Sequence, residues 1–130
     1  FSYCTNLTAV HFLGDAPSLG GSYVFSYDSN LIAYYLPGTT GWNETFGDRP
    51  TGFWRPLIVG DNSFGVQSDH FGFNINWVSG MVVVVEASTN LTDSSWIPLQ
   101  TNTLISDSIY FSDANWTNDT VHFYRAKWQE

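Results

Sequence analysis

The sequence predicts an all-β protein built from two modules, a short repeat segment packed on a small antiparallel β-sandwich. Three observations predict it. A ten-residue stretch at the start recurs 24 residues later, the second half alternates apolar and polar residues with period two, and no ten-residue stretch carries an amphipathic helical pattern.

The repeat comes first. Phe1-Ser-Tyr-Cys-Thr-Asn-Leu-Thr-Ala-Val10 returns as Phe25-Ser-Tyr-Asp-Ser-Asn-Leu-Ile-Ala-Tyr34, with six of the ten positions identical. A period of this size lies in the leucine-rich-repeat range, where each unit must stack on a neighbour to bury its apolar face. Each copy carries a strand pattern, Leu7-x-x-Val10-x-Phe12 and Leu31-x-x-Tyr34-x-Leu36. Turn formers fill 13–22, and Pro37-Gly38 ends the second copy. Residues 43–56 read as loop, broken by Gly47, Pro50, Gly52 and Pro56, with at most a helical turn near Trp42–Phe46. Two turns fall short of the roughly three that make a stable stack, so the open end needs a cover. The chain opens on Phe1 within a repeat, which reads as a trimmed product or as part of a longer protein.

The modules are expected at 1–54 and 63–130, with a junction at 55–62 that ends in an Asp61-Asn62 turn. Phe71, Phe73, Ile75 and Trp77 alternate with polar or small residues, the mark of a strand with one buried face. Ser79-Gly80 turns the chain into the Val-rich run Met81–Ala87, a strand buried on both sides. Further strands are expected at Trp96–Thr101, Ser108–Ser112 and Val121–Trp128, with turn clusters between them.

Two stretches resemble known sequences. Phe1-x-x-Cys4-x-x-Leu7-x-x-Val10-x-Phe12 resembles the leucine-rich repeat of BspA-like bacterial surface proteins. The second copy departs from that pattern with Asp28 in place of Cys, and Tyr34–Trp42 looks like a closing unit of such arrays. Val82–Leu91, Trp96-x-Pro98-Leu99, Phe111-x-Asp113 and Phe123-Tyr124-Arg125 resemble a C-terminal β-module of secreted proteins from environmental, Verrucomicrobia-like bacteria. The resemblance implies an extracellular or cell-surface protein and implies no reaction.

Composition narrows the function. Charged residues are only 12%, so Ser, Thr, Asn and Gly must build the surface, as in extracellular β-proteins. The net charge of −8, with Arg49, Arg55, Arg125 and Lys127 as the sole cations, argues against nucleic acid and anionic membrane partners. No apolar run approaches a membrane span. The lone Cys4 cannot form an intrachain disulfide and reads as a small buried apolar residue.

Candidate chemistry is sparse. His11, His70 and His122 have no metal-ligand spacing, no serine lies in Gly-x-Ser-x-Gly, and no acid pair can be nominated. Asp61, Asp107 and Asp113 read as solvated turn acids rather than calcium ligands. No catalytic residue, metal or cofactor is therefore expected. Five sequons, at Asn6, Asn43, Asn90, Asn115 and Asn118, exceed the about two expected by chance and mark candidate glycosylation sites. Trp42 and Trp116, in loops, are the candidate sugar-stacking rings of a carbohydrate-binding alternative; a monomeric adhesin fragment is another. The leading expectation is a secreted, non-enzymatic structural or adhesive protein. Its uncovered residues Phe1, Cys4, Leu7, Val10 and Phe12 would pack on another copy, head to tail, into a homopolymeric filament.

Overall fold

The computed structural model describes residues 1–92, 95–118 and 122–130. The protein is all-β, and the described residues contain no helix. The chain divides into two compact units, Phe1–Trp54 and Arg55–Glu130.

The first unit is a parallel stack. Strands β1 (Ala9–Phe12), β2 (Ile32–Tyr35) and β4 (Arg49–Phe53) lie side by side in chain order, each parallel to the last. The short β3 (Thr45–Phe46) pairs antiparallel with the outer edge of β4. Half of residues 43–56 are thus strand rather than loop. The reason is a two-residue hairpin, Gly47-Asp48, with both residues at positive φ (58° and 61°) as a type I′ turn requires. The helical turn expected at 42–46 is absent for the same reason. Pro50 is tolerated because pairing with β2 begins one residue later, at Thr51.

The repeat is real in the turns and shifts in the strands. Tyr3 and Tyr27 share a left-handed backbone, φ 66° and 68°. The same bonds recur around them: Cys4 N–H to Phe1 C=O and Leu7 N–H to Cys4 C=O, then Asp28 N–H to Phe25 C=O and Leu31 N–H to Asp28 C=O. Phe1 lies on Phe25 and Tyr3 on Tyr27, with ring centroids 5.8 and 4.3 Å apart. In the strands, however, Ala9 pairs with Ile32 and Phe12 with Tyr35, an offset of 23. The expected match of Val10 to Tyr34 and Phe12 to Leu36 therefore fails by one residue, which exchanges the two faces. Val10 lies beside Ala33, and Phe12 joins Tyr35, Trp42 and Phe46 in one aromatic cluster. Phe25, Leu31, Ala33 and Leu36 complete the buried core.

The second unit is sandwich-like. One sheet has β10 (Ser108–Asp113), β7 (Phe71–Asn76) and β5 (Leu57–Ile58) in that order, with β6 (Gly65–Val66) also on β7. The other has β11 (Phe123–Trp128), β8 (Val82–Ser88) and β9 (Ile97–Thr103). All pairings are antiparallel. Residues 55–62, expected as a junction, carry β5 and belong to the first of these sheets, because Leu57 and Ile58 pair with Asn76 and Ile75. The sheets face each other through Tyr124, which stacks on Phe71 at 5.1 Å and meets Phe73 and Phe111 at 5.9 and 5.8 Å. Phe73, Ile75, Val83, Val85, Leu104 and Phe111 fill the core, each worth about 1.5–3 kcal/mol on burial. The Val-rich β8 is the central strand of its sheet and is buried through Val83–Glu86. Val121, expected to open β11, lies outside the described residues.

Asp28 stands out in the first unit. It occupies the place of Cys4 in the second turn, is fully buried, and neither carboxylate oxygen has a hydrogen-bond partner. Arg49 reaches only its backbone carbonyl, at 3.4 Å. An unsatisfied buried polar group costs about 1–3 kcal/mol, and more when charged. Asp28→Cys, which restores the residue of the first turn, is expected to stabilise the first unit by about 1–3 kcal/mol in urea unfolding. An unchanged or lower midpoint would mean that the carboxylate contributes to the fold.

Candidate functional site

Two regions carry the functional groups, the open edge of the parallel stack and a polar pocket in the second unit. At the edge, β1 has β2 on one side and no strand on the other among the described residues. Ile32 N–H bonds Thr8 C=O while Ala9 stands opposite Ile32. In a parallel ladder this turns the N–H groups of Ala9 and His11 towards the open side. The five residues expected at an assembly face differ in placement. Phe1 is 67% exposed and Cys4 is exposed, whereas Leu7, Val10 and Phe12 are half-buried in their own unit. Cys4 is thus not the buried apolar residue expected, because the turn that buries Asp28 has no further turn stacked on its first copy. Tyr3, at 69%, and Tyr27 and Tyr23, also exposed, supply apolar surface that the sequence reading missed. The Tyr at the third position of both copies was the available signal.

The pocket, about 270 Å³, is lined by the ends of β8, β9 and β10 and by His122. Its polar wall holds Ser88, Asp113, Asn115, Asn118 and His122; Ile97 and Leu99 form an apolar wall. Leu99 is there because β9 bulges: Gln100 pairs with Val85 and Pro98 with Glu86, leaving Leu99 without a partner in β8. Behind the polar wall runs a hydrogen-bond chain. Tyr124 Oη donates to Asp113 Oδ2 at 2.8 Å, and His122 Nδ1 lies 3.0 Å from the same Oη. The hydroxyl has one hydrogen and the carboxylate only accepts, so His122 Nδ1 is the donor to Tyr124. Burial, then the hydrogen bond and charge of Asp113, push the Tyr124 phenol well above its ordinary value, so it stays a donor. Asp113 Oδ1 takes the Asn115 N–H at 2.8 Å. Asp113 and His122, read from sequence as a solvated turn acid and an isolated strand histidine, are instead joined through Tyr124.

A second His–Tyr contact is more open. His70 Nδ1 is 2.7 Å from Asp69 Oδ1, and Nε2 is 2.9 Å from Tyr110 Oη. The hydrogen bond to His70 and its charge hold Asp69 below the usual carboxylate range. This carboxylate–imidazole–phenol chain lies at the surface, where water screens it. His11 stacks on Tyr34 and against Trp54. Among the described residues no group of three or more His, Cys, Asp or Glu side chains could hold a metal ion.

The two tryptophans expected to meet sugars are half-buried. Trp42 is committed to packing: it stacks on Tyr35 at 4.9 Å and donates Nε1–H to Thr39 Oγ1. Trp116 lies in the turn after β10. The sequon residues Asn6, Asn43, Asn90, Asn115 and Asn118 are all exposed. Asn90 Oδ1 accepts from both the N–H and the hydroxyl of Thr92 within its sequon. The acceptor Thr120 of the last sequon lies outside the described residues.

Glu86 anchors the opposite face of the second sheet. It is 7% exposed and bonds Arg125 and Lys127 at 2.7 and 3.0 Å, while Arg125 covers the Trp96 ring at 4.3 Å. Burial alone would raise its carboxyl; the bonds and charges of Lys127 and Arg125 outweigh burial and hold it below its ordinary value. Comparison of the chain with protein-family models, curated proteins and solved structures returns no match.

A carboxylate depressed in the folded state stabilises above its unfolded pKa of about 4.3 and loses that contribution as pH falls through the folded value. The second unit should therefore lose stability below about pH 4.3. Glu86→Gln should cost about 1–3 kcal/mol at pH 7 and flatten this acid limb in denaturant titrations at several pH values. An acid limb of unchanged slope would assign it to other carboxylates.

Proposed function

We propose that this chain is a non-enzymatic structural or adhesive protein of the cell exterior that associates with further copies of itself through the edge of β1. The observation that carries the reading is the asymmetry of the first unit. Its parallel stack ends on one side in the β3–β4 hairpin and on the other in β1, which has no further strand beside it among the described residues and is flanked by exposed Phe1 and Tyr3. Edge strands of this kind recruit a partner strand, since the outward N–H and C=O groups give a ready template. A copy offering a different face would make a heterologous contact, and repetition of that contact gives a ring or a filament. The BspA-like resemblance of the repeat supports an exterior location, and so does the low surface charge. Glycans on the exposed sequon asparagines would supply the hydrophilicity that charged residues usually give; an intact mass equal to the bare chain in native material would remove that part.

Ala9→Pro tests the reading. It deletes an outward N–H while sparing the bonds to β2, and proline is tolerated on edge strands. The unmodified chain should sediment as assemblies, and the variant as single chains with an unchanged far-UV spectrum. Assembly of the variant, or an unmodified chain that sediments as a monomer, would overturn self-association.

A further inference from the structure

We propose that the pocket bounded by His122, Asn115, Asn118 and the bulged Leu99 binds one neutral sugar ring. The ligand class follows from what the walls offer. Asp113 accepts from Asn115 N–H and Tyr124 O–H and keeps its negative charge, which disfavours an anionic ligand. None of the four cations of the chain lines the pocket, so it offers nothing to a phosphate or carboxylate. Beside Asp113 and the His122 imidazole the wall offers amide and hydroxyl groups, facing two exposed aliphatic side chains, Ile97 and Leu99.

A pyranose has the matching form. Its hydroxyls need donors and acceptors around the rim, and its C–H face needs an apolar floor. The volume of about 270 Å³ lies just under the roughly 300–1,000 Å³ of drug-sized sites, which suits one ring rather than a chain. The His122–Tyr124–Asp113 chain fixes the polar wall: each link is oriented by the next, and Tyr124 is held in turn by its stack on Phe71. The β9 bulge supplies the apolar wall by presenting a residue that regular pairing would have placed against β8. Preorganised walls reduce the ordering cost of binding a small ligand.

The ring has two sources, a sugar in solution or on a partner, or the first residue of a glycan carried by Asn115 or Asn118 themselves. The experiment separates them. Chain made in a host without N-glycosylation is titrated with glucose, galactose, mannose and N-acetylglucosamine, and amide shifts are followed by NMR. At least one sugar should give saturable shifts at Ala87, Ser88 and Thr89, half-complete on the order of millimolar concentration. The double variant Ile97→Ser, Leu99→Ser alters only exposed side chains and should bind roughly tenfold or more weakly. Tyr110→Phe, at the other His–Tyr contact, should bind normally. If glycosylated chain loses the response and deglycosylated chain regains it, the ring comes from the chain's own glycan. No saturable shift with any of the four sugars, or shifts centred on Trp42, would overturn the proposal.

Discussion

The first unit rests on one left-handed turn used twice. A tyrosine at positive φ costs on the order of 1–2 kcal/mol, and the chain pays that cost at both Tyr3 and Tyr27. Two compensations hold the strain. The rings stack on each other at 4.3 Å, and Tyr3 N–H finds Ser26 C=O at 2.8 Å. The turn leads into β1 and into β2, which pair in parallel with Ala9 opposite Ile32; β4 joins β2 in parallel from the Gly47-Asp48 hairpin, with Thr51 opposite Ala33. The placement of Phe12 beside Tyr35 and Trp42, and an edge of β1 without a further strand among the described residues, follow from the pairing of β1 with β2.

The same geometry explains what the sequence showed and what it concealed. The 24-residue recurrence was legible because it lies in the turns, where identical backbone needs similar residues. The strand register was not, because Ala, Val and Tyr fit either face of a short strand, and a one-residue slip is invisible in composition. Gly47 read as a breaker because the two flanking strands are too short to show alternation. In the second unit, β7 and β8 announced themselves through alternation and a valine run. The His122–Tyr124–Asp113 chain did not, because Asp113 lies nine positions before His122 with no motif between them; only the packing of β10 near β11 brings it to Tyr124, two residues beyond His122.

Charge is used sparingly and locally. Three of the four cations lie in the second unit: Arg125 and Lys127 on Glu86, and Arg55 over the Trp128 ring. The fourth, Arg49, lies beside the turn that buries Asp28. Among the described residues, Asp15, Glu44, Asp48, Asp61, Asp69, Asp107 and Glu130 are exposed and meet no Lys or Arg in an ion pair, so on the proposed reading copies repel one another at long range and would meet through an uncharged contact. The β1 edge, with Phe1, Tyr3, Thr8 and Ala9, carries no charged side chain and is the contact proposed. Non-specific association through charge is disfavoured by the same balance.

Amide hydrogen exchange at Ala9 and His11 tests this account most directly. Their N–H groups face the open edge and have no partner strand there in a single chain. In assembled material the account predicts strong protection of both, rising with assembly and vanishing on dilution, while Val10 stays protected throughout by β2. Equal, fast exchange of Ala9 and His11 in assembled and dispersed material would contradict it and place the contact between copies elsewhere.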